Sequence, residues 1–141
     1  AKWVQAIEAV NNDYKGFWER QGWSDQAVVY TTARIDVPAQ DLSVPVGPLR
    51  LYGVAYSGDR GVSRVEVSFD RTRTWVEARL KAPLSPYSWV HWQLDWEPPG
   101  PGRHTIKARA FDLDGQPQEA EVRDPFPEGA TGYHTINVTL T

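Results

Sequence analysis

The chain carries three imidazoles, at His91, His104 and His134, and each falls in a different run of alternating residues. No two of them have the spacing of paired ligands, whereas a tetrahedral zinc site needs three or four convergent donors. The absence of cysteine excludes disulfides, thiolate metal sites and cysteine nucleophiles. Asp112-Leu113-Asp114-Gly115 opens like a calcium loop, but its twelfth position is Arg123 in place of the bidentate Glu. A hairpin turn accounts for it better, with Asp112 and Asp114 solvated and bonding local backbone. There is no Gly-x-Ser-x-Gly elbow and no glycine-rich phosphate loop, so neither hydrolase nor nucleotide chemistry is indicated. The residue type that stands out is tryptophan: seven in one small domain serve either a large core or exposed platforms for a partner or a sugar.

The elements that must place these residues have a period of two. Leu49, Leu51, Gly53 and Ala55 alternate with Arg50, Tyr52, Val54 and Tyr56; Val65, Val67 and Phe69 alternate with Arg64, Glu66 and Ser68. The pattern recurs in Thr74-Val76-Ala78-Leu80, Val90-Trp92-Leu94-Trp96, Ile106-Ala108-Ala110 and Ile136-Val138-Leu140, and an earlier strand is expected from about Ala27 to Val37. Turn chemistry separates the runs at Ser57-Gly58-Asp59, Pro98 to Gly102, Asp112 to Gly115 and Pro125 to Gly129. About seven short strands at this spacing predict an all-β, immunoglobulin-like antiparallel β-sandwich. Trp92 and Trp96 share a face with Val90 and Leu94 and belong to the core. Tyr87, Trp89 and His91 lie on the opposite face, which makes them the interface candidates.

Residues 1–25 read differently. Tyr14, Phe17, Trp18 and Trp23 stand among polar residues with no sustained period, as an extended lead-in whose rings need a surface to cover, either the sandwich or a neighbouring domain. Residues 26–141 form the sandwich. A chain that opens on Ala1, with no methionine and no signal-peptide pattern, reads as an excised domain or a processed product. Its 141 residues are one domain in size, and no apolar run is long enough for a membrane span. The formal charge of -3 and the interleaving of Asp59, Glu66, Asp70 and Glu77 among the basic residues from Arg60 to Lys81 argue against nucleic-acid binding.

From Lys2-Trp3-Val4 to the last strand, the chain resembles the carboxy-terminal domain of sulfite oxidases and assimilatory nitrate reductases. The stretch Tyr14-Lys15-Gly16-Phe17-Trp18-Glu19-Arg20-Gln21-Gly22-Trp23 looks like the family's exit from its molybdenum domain. Leu51 to Gly58 matches its glycine-containing strand and turn. The most specific segment is Val62 to Trp75, where the family has a Ser-x-Asp-Gly-Gly-x-Thr-Trp hairpin and this chain reads Ser68-Phe69-Asp70-Arg71-Thr72-Arg73-Thr74-Trp75. Asp70 is expected to bond amides in that turn and Trp75 to pack beneath it. Both family glycines are replaced, and a β-branched Thr72 would be strained at positive φ. Trp89 to Leu94, His104 to Asp112 and Gly132 to Val138 continue the match in order.

The resemblance implies a homodimerisation domain attached to an upstream molybdenum-molybdopterin domain that transfers oxygen atoms. The family's metal-binding cysteine lies in that upstream part, so this piece is expected to hold no metal, no cofactor and no catalytic residue of its own. In the family's animal members an arginine just before the last strand reaches into the neighbouring anion pocket. Here that region reads Asp124-Pro125-Phe126-Pro127-Glu128-Gly129-Ala130-Thr131-Gly132, and Arg123 is the nearest anion-pocket candidate, with a solvated surface role as the plainer reading. The rival function is a freestanding carbohydrate- or protein-binding sandwich.

Overall fold

The alternating runs resolve into nine strands in a computed structural model that describes residues 2–85 and 87–141. In chain order they are β1 (Thr32–Val37), β2 (Leu42–Val44), β3 (Leu49–Tyr56), β4 (Val62–Ser68), β5 (Val76–Glu77), β6 (Arg79–Leu80), β7 (Val90–Trp96), β8 (Gly102–Asp112) and β9 (His134–Leu140), preceded by a single helical turn, α1 (Phe17–Arg20). One sheet has the order β1-β3-β7-β6 and the other β2-β9-β8-β4-β5. Their apolar faces meet around Leu51, Val65, Val67, Trp92, Ile106 and Val138, all at most 2% exposed. This is the immunoglobulin-like sandwich that the alternation requires, because each sheet has one apolar face and can bury it only against the other.

Three details depart from the sequence reading. The run Thr74 to Leu80 is two strands: β5 pairs with β4 in one sheet, and β6 pairs with β7 in the other. Ala78, 4% exposed, sits where the chain crosses between them. Alternation cannot report such a crossing, since the run keeps its period of two while Val76 stays 47% exposed and Ala78 is buried. The first strand begins at Thr32 instead of near Ala27, whose φ of 47° interrupts an extended chain. The short β2 carried too few residues for a period, and it runs parallel to β9, so the second sheet is mixed.

Gly53 is required by packing. A Cβ there would run into the Arg34 carbonyl oxygen and the six-membered ring of Trp92, its partner across the β3–β7 ladder. The indole N–H of Trp92 is buried without a hydrogen-bond partner among the described residues, so that ring is held by packing alone.

The turn after β4 corrects one expectation and bears out another. Asp70 accepts hydrogen bonds from the Thr74 hydroxyl (2.6 Å), the Thr74 N–H (2.9 Å) and the Ser68 hydroxyl (3.0 Å). Those bonds, the Thr74 hydroxyl foremost, hold its pKa down to about 2. Arg71 and Thr72, which replace the family's glycines, adopt φ of 62° and 72°, so the left-handed turn survives without glycine and with strain. Trp75 does not pack beneath the turn; it lies on the outer face of the five-stranded sheet, drawn there by the Arg109 guanidinium 3.9 Å from its ring.

Candidate functional site

Of the interface candidates, Trp89 and His91 lie on the outer side of the four-stranded sheet, opposite the core face of Trp92. Trp89 and Tyr87 remain 50% and 69% exposed, and His91 is exposed as well. Trp89 stacks nearly flat on Tyr56 (centroids 5.2 Å, 10°), with the Arg34 guanidinium 5.9 Å from its ring. His91 lies one step further along β7, paired with Val54, and lines a shallow groove with Tyr52, Arg79, Lys81 and Gln93. Tyr87 stands apart in the turn that precedes β7. The surface is therefore aromatic at Trp89 and Tyr56 and basic beyond, with Arg34 and Arg50 paired to Asp36 and Asp95.

The outer face of the five-stranded sheet carries a second arrangement that the alternation did not disclose. Arg64 lies 3.9 Å from the Phe111 ring, and Arg109 spans Phe111 (5.1 Å) and Trp75 (3.9 Å). Tyr133 closes the row edge-on against Trp75 at 5.5 Å. Glu66 sits between the two guanidiniums, accepting from Arg109 Nε at 2.8 Å. Arg64 Nε reaches the other carboxylate oxygen at 2.8 Å as an ion pair, at an angle too poor for an N–H bond. Guanidinium–ring contacts contribute roughly 0.5–2 kcal/mol each, more as they are desolvated. The signal was available in Arg64, Glu66, Arg109 and Phe111 at alternate positions of two runs that pair, but the register that aligns them was not.

Asp112 also differs from its sequence reading. Instead of being solvated, the residue is 2% exposed, and its carboxylate meets Arg60 Nε at 3.3 Å. The same guanidinium donates to the Val29 carbonyl (2.8 Å) and the Ser57 hydroxyl (3.2 Å), fastening the entering chain to the β3–β4 turn. Its local role is present too, since the Gln116 N–H donates to Asp112 Oδ1 at 2.8 Å.

Arg123 is engaged within its own loop. It pairs with Glu119, donates from Nε to the Thr131 hydroxyl at 3.2 Å, and lies 5.7 Å from the Tyr30 ring. The histidines fall on β7, β8 and β9 and do not converge. His104 Nε2 meets the Gly100 carbonyl at 3.0 Å, and His134 Nδ1 accepts the Ile35 N–H at 3.1 Å. Burial first, and then the Arg34 guanidinium, push the His134 pKa below the ordinary imidazole value, against an opposing pull from Asp36. Among the described residues no three His, Asp or Glu side chains cluster as a metal site. With no thiol in the chain either, its residues do not fit a molybdenum centre, and no chemical step is assigned to them.

Gln118, which the sequence reading passed over, is 4% exposed. Its side-chain oxygen accepts from the Ala33 N–H (3.0 Å) and the Ala110 N–H (3.2 Å), and its amide donates to the Gly132 carbonyl (2.8 Å). One side chain thus joins β1, β8 and the approach to β9. A lone Gln in a loop carries no periodic signal that would have marked it.

A family model described as the Mo-co oxidoreductase dimerisation domain matches residues 23–139. Sulfite oxidase of Gallus gallus is 38% identical over 98 residues, a match covering 59% of this chain and 21% of that protein. Mitochondrial sulfite oxidase of Rattus norvegicus is 35% identical over 96 residues, covering 58% of this chain and 17% of its own length. The chain therefore spans about a fifth of the length of the curated relatives it matches. The sulfane dehydrogenase SoxCD of Paracoccus pantotrophus superposes with a TM-score of 0.61 at 24% identity, over 79% of this chain and 33% of that one, a likeness of fold. With the family match extending over most of the sandwich, the chain belongs to the molybdenum-cofactor oxidoreductase dimerisation domain family.

Proposed function

We propose that this chain pairs two copies of a longer molybdenum-molybdopterin oxidoreductase of the sulfite oxidase type into a symmetric homodimer, while an upstream domain of the same protein carries out oxygen-atom transfer. The observation that carries this reading is the family match over residues 23–139. Residues 1–25 are the lead-in from the upstream domain, and residues 26–141 are the pairing domain; the family match, which begins at residue 23, supports that division.

The pairing surface is the outer face of the four-stranded sheet around Tyr87, Trp89 and His91. A two-fold contact presents the same patch from both subunits, and aromatic side chains are enriched at the desolvated centres of such contacts. Trp89, held flat on Tyr56 yet half exposed, meets that description. Arg123 is a surface loop residue, and its engagement with Glu119 and Thr131 supports that role over one in an anion pocket.

The test is the subunit count of the longer protein with and without residues 26–141. The reading expects a cofactor-bearing dimer to become a cofactor-bearing monomer on truncation. A truncated protein that remains dimeric would end it.

A further inference from the structure

Many of the large apolar side chains left in water belong to the lead-in and to one loop of the sandwich. In the lead-in, Trp3, Ile7, Val10, Tyr14, Phe17 and Trp18 are each more than half exposed. On the sandwich, the loop between β8 and β9 adds Phe126 at 55% and Val122 at 81%.

The two groups are physically joined. Trp23 meets Phe126 edge-on at 5.4 Å, and the Ser24 N–H donates to the Pro127 carbonyl at 3.1 Å. Phe17 and Trp18 pack edge-on at 5.1 Å in α1, and the N–H of Trp23 returns to the Trp18 carbonyl at 3.1 Å. The helical turn, Trp23 and the loop tip are therefore one bonded unit. Lys15 pairs with both Asp13 and Asp25 on either side of the helical turn, and the rings between them stay open to solvent. An exposed apolar patch of this kind, rimmed by polar residues, marks a contact site.

We infer that the aromatic seam of Phe17, Trp18, Trp23 and Phe126 is the seat of the preceding domain of the longer protein, with the loop from Asp124 to Ala130 as the sandwich's share of the contact. The inference rests on the proposed function. The occupant is chosen on two observations. Residues 2–22 lie ahead of the segment that the domain family matches, and the relatives are about five times longer than the part this chain matches. The lead-in is then a bracket that sets the angle between the domains, with Trp23 locking it to the loop through Phe126.

The experiment is chymotrypsin cleavage of residues 2–30 in the full-length protein, in its Phe126→Ser and Trp18→Ser variants, and in the isolated chain, with sedimentation of each. The expected result is a lead-in protected in the full-length protein and cut roughly tenfold faster or more in both variants and in the isolated chain, because local opening sets the rate. Phe126 is more than half exposed, so its replacement leaves the sandwich core untouched. Equal cleavage in the full-length protein and the isolated chain would overturn the inference. Protection that appears in the isolated chain as its concentration rises would also overturn it, assigning the seam to a second copy. A protected lead-in in a full-length monomer would sink the pairing function and leave the seam standing.

Discussion

His134 Nδ1 accepts the backbone N–H of Ile35 at 3.1 Å, so the first residue of β9 in one sheet closes the free edge of β1 in the other. Earlier in the chain, between β8 and β9, Gln118 does the same for Ala33. An edge strand left with bare N–H groups is a template for unwanted pairing, and here two side chains occupy that edge while tying the sheets together.

Because the His134 pKa is lowered in the folded state, the unfolded chain takes up its proton first as pH falls. Stability from this group is complete above its ordinary pKa of about 6.5 and declines as pH drops below that value. Denaturant titrations at about pH 7.5, 6.5 and 5.5, which bracket that pKa, should show a falling midpoint. His134→Gln should flatten that dependence, and an unchanged slope would remove His134 as its source.

Gln118→Ala leaves two N–H groups and one carbonyl without their partner. At about 1–3 kcal/mol for each buried group left unsatisfied, less whatever water recovers, the loss should be roughly 3 kcal/mol. Equilibrium unfolding measures it directly, and a loss below about 1 kcal/mol would mean that water replaces the amide.

Thr72 holds a φ of 72°, where an L-residue with a branched Cβ is disfavoured by about 1–2 kcal/mol. Thr72→Gly relieves that strain but adds about 0.5–1 kcal/mol of chain entropy to the unfolded state. A net gain of up to about 1 kcal/mol is expected, read as a higher melting temperature. A clear loss would show that the Thr72 side chain contributes contacts that outweigh the strain.

How much of this was legible in the residues depended on what each element offers as a pattern. Alternation placed β3, β4, β7, β8 and β9 and assigned Trp92 and Trp96 to the core, because a half-buried strand repeats every two residues. It could not reveal that Thr74 to Leu80 changes sheets at Ala78, that Asp112 turns inward to Arg60, or that Arg64 and Arg109 share Glu66, since each depends on register between distant strands. Gln118 was silent because one residue has no period. Trp89 and His91 share the outer face that alternation gives them, whereas Tyr87 lies in a turn, and Tyr56 and Arg34, which hold Trp89 in place, come from strands that only the sheet order makes neighbours.

Arg123, engaged with Glu119 and Thr131, should be dispensable for anion affinity in the full-length enzyme. Arg123→Ala is expected to shift that affinity little. Loss of a charge-assisted bond would cost roughly 1.5–3 kcal/mol, or about tenfold to a hundredfold. A weakening of that size with dimerisation intact would assign the clamp to Arg123.

The central claim is that this domain pairs two copies through the face bearing Trp89, and sedimentation of the chain with its Trp89→Asp variant tests it most directly. A buried charge at the centre of a two-fold contact is introduced twice, once from each subunit. The account predicts a dimer of the 15.9 kDa chain that becomes monomeric on substitution while its β-sheet circular dichroism is retained. A native chain that stays monomeric at the highest soluble concentration would contradict pairing by this domain, and a folded Trp89→Asp variant that stays dimeric would contradict the face.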